Sequence, residues 1–232
     1  MFANLNTSEL DQLQDEKVEI ERERGEVFSE KNKPTDFIFC LGSGSAKVTL
    51  IDDKTKRESL VKLVAPSDLL GYRCIFSSDR YVGTASALSP SRACRISKDF
   101  IFKMIERSPR FSFELLKRMG HEIASSEYHH HSFCQKSVRE RIAEAFLILK
   151  DKFGEATSNG WRINTHLTRT ELANWIGASR ETVVRTLTDF QVEGLIRQVG
   201  DDLHVLQFES LRKISGASNF NVKFKGNDLE EL

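Results

Sequence analysis

Between residues 179 and 185 the chain reads Ser-Arg-Glu-Thr-Val-Val-Arg. These side chains carry the chemistry needed to read a base pair. Arginine donates two parallel bonds to guanine O6 and N7, and glutamate accepts from cytosine N4, each good contact giving about 1–3 kcal/mol of discrimination. Arg180, Glu181 and Arg185 are the expected base readers. Ser179, Thr182 and the upstream Arg169 suit phosphate oxygens, which fix position without reading sequence.

Reading bases requires that these residues share one exposed face of a short helix, and the flanking sequence supplies it. Thr168 with Glu171 forms the S/T-x-x-E pattern of a helix start. Leu172, Ala173 and Ile176 give that helix an apolar face, and Gly177 is free to take the positive φ of a tight turn. Ser179 then caps a second helix in which Val183, Val184, Leu187 and Phe190 are expected to face inward, and Gly194 ends it. Helix, glycine turn and capped helix make a helix-turn-helix, whose second helix enters the major groove by its N-terminal end. Two β-like runs around Gly200-Asp201-Asp202 predict a hairpin wing, residues 211–214 a last short element, and residues 218–232 a polar tail.

Ahead of this lies a long helix starting at Ser108-Pro109 and running to about Gln135. Phe113, Leu116, Gly120, Ile123, Glu127, His130 and Cys134 recur on it at alternating spacings of three and four, a heptad-like seam. Such a stripe needs a partner, and a second copy of the chain is expected to provide it. Packing against its own domain is the alternative. Ser137 and Glu140 form a further capping box, opening a helix with Val138, Ile142, Ala145, Phe146 and Leu149 on its apolar face and ending near Gly154. Residues 155–160 read as a loop.

The N-terminal part has a different grain. A short helix over 7–17, opened by Thr7 or Ser8, precedes β-like runs at 18–20, 26–28, 37–41, 46–51, 60–64, 81–87 and 91–96. Many short, evenly spaced strands predict an antiparallel sandwich or barrel. The fold expected is therefore α+β: a β-roll sensor over 1–108, a dimerisation helix over 109–136, and a winged helix-turn-helix over 137–232.

The 34 basic residues equal the 34 acidic ones, so bulk charge gives no support to nucleic-acid binding, which must rest on a narrow basic face. Cys40, Cys74, Cys94 and Cys134 are widely spaced, which excludes a clustered thiolate site and predicts free, mostly buried thiols. Neighbouring residues on a helix diverge by about 100°, so His129, His130 and His131 cannot converge on one metal and read as a polar patch, with His130 on the seam. No metal site is expected. The start of the chain lacks an apolar signal segment and no run approaches a membrane span, so a cytoplasmic protein is expected. An enzyme is disfavoured, and no catalytic residue is assigned. There is no G-x-S-x-G, P-loop or H-E-x-x-H, and Lys47 stands where Gly42-Ser43-Gly44 would need a third glycine for a dinucleotide fingerprint.

The segment GASRETVVRTLTDFQVEGLI resembles the recognition helix of the catabolite activator and fumarate–nitrate regulator (CRP/FNR) family. RGEVFSEKNKPTDFIFCLGSGSAKVTL is similar to its early β-roll strands, and QKSVRERIAEAFLILKDKFG to the helix after its dimer helix. The resemblance spans nearly the whole chain. It implies a cyclic-nucleotide-binding-type β-roll, a homodimer on a pseudo-palindromic site, and double-stranded DNA and RNA polymerase as partners, with no membrane. It also implies a ligand site near Gly71, Tyr72, Arg73, Arg80 and Thr84, with Ser125 and Ser126 on the long helix meeting a base. Members that bind cyclic nucleotide have a glutamate after the glycine and an arginine before the small residues of the cassette. Here Tyr72 and Val82 stand in those places. A cyclic nucleotide held differently, another anion, or no ligand all remain open, as do a constitutive DNA-binding protein and a redox or metal responder using Cys134 and the histidines.

Overall fold

Alternating apolar residues fold the N-terminal part into two antiparallel sheets. The computed structural model describes residues 5–200 and 202–216, so Asp201 of the wing turn and the 218–232 tail lie outside the described residues. Helix α1 (Thr7–Glu16) is followed by β1 (Val18–Arg22), β2 (Val27–Ser29), β3 (Phe37–Ser43), β4 (Ala46–Ile51), β5 (Glu58–Val64), β6 (Leu69–Leu70), the one-turn α2 (Cys74–Ser77), β7 (Thr84–Ala87), β8 (Ser91–Ser97), α3 (Lys98–Arg107) and the long α4 (Pro109–Gln135). One sheet has the order β1-β8-β3-β6 and the other β2-β7-β4-β5. Side chains on a strand alternate between faces, so β3 contributes to two cores. Phe39 and Leu41 meet Ala93, Ala46, Val64 and Ala85 between the sheets. Ile38 joins Leu13, Ile96, Phe100, Met104, Phe111 and Leu115 beneath the helices.

Several details depart from the sequence reading. Asn6, not Thr7 or Ser8, opens α1: its Oδ1 accepts from the Glu9 N–H at 2.9 Å while Glu9 Oε2 accepts from the Asn6 N–H at 2.9 Å. Asparagine caps as well as serine, and only this frame puts a glutamate at the third helical position to close the box. The expected strand 81–87 joins the sheet only from Thr84: at Tyr81 the backbone bonds Asn32 and Lys33 instead, and the side chain turns inward to donate its hydroxyl to the Phe37 carbonyl at 2.6 Å. The cysteines are free, but Cys40, Cys74 and Cys94 are half-buried and Cys134 is exposed.

Helix α4 has two opposed faces. Phe111 and Leu115 are buried in the N-terminal core. Phe113, Leu116 and Ile123 are 66%, 65% and 60% exposed, and Gly120, Glu127, His130 and Cys134 on the same stripe are exposed too. Burying each of the three apolar side chains would release roughly 1–2 kcal/mol. The chain divides into two compact units within this helix, between Glu127 and Tyr128.

The second unit opens with the last turns of α4, then α5 (Val138–Phe153), β9 (Gly154–Thr157), β10 (Gly160–Ile163), α6 (Arg169–Ile176), α7 (Arg180–Val192), β11 (Ile196–Val199), β12 (Asp202–Val205) and α8 (Phe208–Ser215). The Ser137 box caps α5 as the sequence indicated. The expected 155–160 loop is instead mostly strand and turn. β9 and β10 pair as a hairpin and extend the wing into a sheet of order β11-β12-β10-β9. The hairpin's strands are short and largely polar, and its stability comes from β12 across β10, a pairing between residues some forty positions apart that carries no local signal. Phe146 of α5 and Phe190 of α7 pack with ring centroids 6.3 Å apart at its centre.

A shallow cleft, open to solvent, is lined by His129, Phe133, Arg141, Glu144, Trp175 and Ile176 among others. Burial there holds the His129 pKa below its ordinary 6.5; Glu144 opposes the shift and Arg141 adds to it. A histidine whose folded pKa is depressed leaves the unfolded chain binding the extra proton, so stability is complete above the ordinary pKa and declines as pH falls below it. Denaturant midpoints of this part of the protein should therefore be lower at pH 5.5 than at 7.5, and His129→Gln should shrink the difference. An unchanged pH response in the variant would refute the assignment.

Candidate functional site

The second helix of the helix-turn-helix is built to present its first turns. Ser179 Oγ accepts from the Thr182 N–H at 3.2 Å, capping α7. Val183, Leu187 and Phe190 are buried, which turns Arg180, Glu181 and Arg185 outward, where they are exposed. Glu181 accepts a bond from its own backbone N–H and another from Ser179, which hold its carboxyl below the usual carboxylate range and keep it ionised. Val184, expected inside, is 39% exposed on the same face. Its place follows from the helix: position 184 lies one turn beyond Arg180 and Glu181, and a buried stripe of 183, 187 and 190 leaves it outside. A valine there matches the thymine methyl as arginine matches guanine. Arg169 is less free than expected, since its Nη2 donates to Gln198 Oε1 of the wing at 3.0 Å. Ser179 and Thr182 also bond each other, their hydroxyls 3.0 Å apart.

The turn before α7 is held from outside. Gly177 sits at φ +65°, and a Cβ built on it would fall 1.9 Å from Cζ of Phe133, on the last turn of α4. No side chain fits between them. Arg141 of α5 lies over the Phe133 ring at 4.6 Å and donates to its carbonyl at 3.0 Å. Beside them Glu144 accepts from Ser132 Oγ and from Lys136 Nζ, the latter at 2.9 Å, and Lys136 also donates to Tyr128 Oη at 3.0 Å. Sequence reading saw Gly177 as a turn residue and missed Phe133 as its neighbour, since the two are far apart in the chain.

In the β-roll the expected ligand residues fall into two groups. Arg80 donates to the Asn32 carbonyl at 2.6 Å, and Thr84 Oγ1 accepts from the Lys31 N–H at 3.1 Å. Val82 is exposed. Gly71, at φ +77°, separates this group from the other, and a Cβ on it would meet the Tyr81 ring at 2.9 Å. The second group gathers around Glu122 of α4, which the sequence reading had not singled out. Glu122 is ion-paired with Lys62 of β5, and its Oε2 lies 3.2 Å from Arg73 Nε. The Tyr72 hydroxyl is buried close by without a well-formed hydrogen bond; burial and the Glu122 charge push its pKa far up, so it stays protonated. Tyr72 is thus a core residue, 2% exposed. One helical turn before Glu122, Arg118 Nη2 bonds Asp68 Oδ1 at 2.9 Å. One turn after it, Ser125 is half-buried and Ser126 exposed.

Residues 19–108 match the cyclic nucleotide-binding domain family, and residues 140–214 the Crp-like helix-turn-helix domain family. Across 213 residues the chain is 26% identical to a CRP-like cAMP-activated global transcriptional regulator of Mycobacterium tuberculosis, covering 92% of this chain and 95% of that protein. It is 27% identical over 193 residues to the transcriptional activator protein Anr of Pseudomonas aeruginosa, covering 83% and 78%. Its fold is similar to that of FixK2 from Bradyrhizobium japonicum, with a TM-score of 0.78 at 16% identity, over 88% of this chain and 99% of that one. No helix among the described residues is long and apolar enough to cross a membrane. Both halves of the chain, the β-roll and the winged helix-turn-helix, thus lead to one conclusion: it belongs to the CRP/FNR family of DNA-binding transcription regulators.

Proposed function

We propose that the chain regulates transcription as a homodimer, with residues 1–108 as sensor, 109–136 as dimerisation helix and 137–232 as DNA-binding part, and with α7 of each copy entering a major groove. The observation that carries this reading is the pairing of two exposed surfaces: the Phe113–Leu116–Ile123 stripe of α4 and the Arg180–Glu181–Val184–Arg185 face of α7. A two-fold axis at the stripe covers its apolar side chains with their own copies. The partner DNA is then a pseudo-palindrome with half-sites about one helical turn apart. The protein works in the cytoplasm, where it meets DNA and RNA polymerase.

Arg180, Glu181 and Arg185 read bases, Val184 packs on a thymine methyl, and Ser179, Thr182 and Arg169 lie along phosphates. The β-roll is the input, and it acts by setting the position of α4. The relative from Mycobacterium tuberculosis is named for cyclic AMP. In this chain the buried Tyr72 and the tie between Arg73 and Glu122 argue for a different occupant of that seat.

Selection from a randomised duplex pool should return a two-fold symmetric site. Arg180→Ala and Arg185→Ala should each relax preference at particular half-site positions, at a cost of about 1–3 kcal/mol. A uniform loss across sequences would make them phosphate contacts. Val184→Ala should weaken preference for thymine at one position while leaving affinity for other bases there nearly unchanged. Leu116→Glu with Ile123→Glu should shift the native mass from dimer to monomer and abolish tight binding to the paired site. A wild-type protein that runs as a monomer would overturn the dimer.

A further inference from the structure

Glu122 makes an unusual arrangement inside the sensor. It belongs to α4, yet its carboxylate reaches the β-roll between Lys62 and Arg73, next to the buried Tyr72 hydroxyl. The Lys62 and Glu122 side chains are only 20% and 18% exposed. Lys62 Nζ also donates to the Leu69 carbonyl at 3.3 Å, which fixes it at the edge of β6. Arg118 and Asp68, 16% and 12% exposed, repeat the connection one turn earlier, and Asp68 in turn accepts from the Ala65 N–H at 3.0 Å. Two cations and a phenol around one anion are what a phosphate or carboxylate ligand would require. Here the chain supplies the anion.

We infer that Glu122 is a built-in anion that fills the seat of a small anionic effector, so the DNA-competent setting of α4 is reached without an added ligand. The inference rests on the reading that the β-roll sets α4. The geometry links the two. Residues 118 and 122 lie on one face of α4 with Phe111 and Leu115, and Phe113, Leu116, Gly120 and Ile123 lie on the opposite face. Holding Glu122 between Lys62 and Arg73 therefore extends to the middle of α4 the rotational setting that Phe111, Leu115 and the Arg118–Asp68 pair give its first turns, and with it the direction in which the stripe points. Loss of the carboxylate leaves Arg73 without its anion and Lys62 with only Asp68 nearby, and loosens α4 beyond the turn that Phe111, Leu115 and the Arg118–Asp68 pair still hold.

The test uses the full-length protein and a duplex enriched by the wild type. Wild type should bind it with no nucleotide present, and millimolar cyclic AMP or cyclic GMP should change affinity less than two-fold. Glu122→Ala should bind at least ten-fold more weakly. Sodium acetate, which supplies the missing CH2COO⁻ group, should restore binding, whereas sodium chloride at equal ionic strength should not. Glu122→Gln, which keeps the size and removes the charge, should show the same loss with no rescue, and serves if the alanine variant does not fold. Acetate should also raise the melting temperature of Glu122→Ala and not that of wild type, a readout independent of DNA. Glu122 variants that bind as wild type does overturn the inference. So does a wild type tightened ten-fold by a cyclic nucleotide, or a loss of binding on which acetate acts no better than chloride. A wild type that selects no DNA overturns the DNA reading instead, and the melting comparison still decides whether the seat takes an anion.

Discussion

One helix must satisfy two surfaces at once. Helix α4 buries Phe111 and Leu115 beneath the β-roll and leaves Phe113, Leu116 and Ile123 in the open on its far side. A 27-residue helix rises about 40 Å, so its two ends belong to different compact units while its backbone stays continuous. On the proposed reading, whatever passes from the β-roll to the helix-turn-helix passes along this helix, as rotation about its axis, translation along it, or bending. The ion pairs at Arg118 and Glu122 act on the first of these, because both sit on the buried face.

Charge in this protein works by placement and not by amount. Equal numbers of acids and bases leave little long-range attraction for a polyanion. The arginines of α7 compensate locally, because Val183, Leu187 and Phe190 hold the helix by its other side and leave Arg180 and Arg185 free of intramolecular ion pairs among the described residues. On the proposed reading selectivity comes from contacts within the groove, since non-specific affinity scales with the number of phosphates neutralised.

The helix-turn-helix was legible in the sequence because each of its signals is local: Thr168 with Glu171, Gly177, Ser179, and the 183–187–190 spacing all act within a few residues of one another. The stripe of α4 that stands exposed in the structure was legible for the same reason, since helical periodicity is printed in the order of residues. What was hidden depends on pairs distant in the chain. The β9–β10 hairpin exists through its pairing with β12, Glu122 meets Lys62 across some sixty positions, and Phe133 meets Gly177 across more than forty. Val184 was misplaced for a smaller reason. An apolar residue beside an apolar stripe was assigned to it, whereas the 183–187–190 stripe leaves position 184 on the exposed side.

The contact of Phe133 with Gly177 has a mechanical consequence. A ring seated where a Cβ would otherwise be leaves no clearance between the end of α4 and the turn that aims α7. Such a joint has no backlash: a small displacement of the Phe133 ring cannot be absorbed by side-chain slack, because there is no side chain on the other surface to give way. The glycine that lets the backbone turn thus also removes the cushion, and the two helices on either side of that turn inherit the tolerance of a single van der Waals contact.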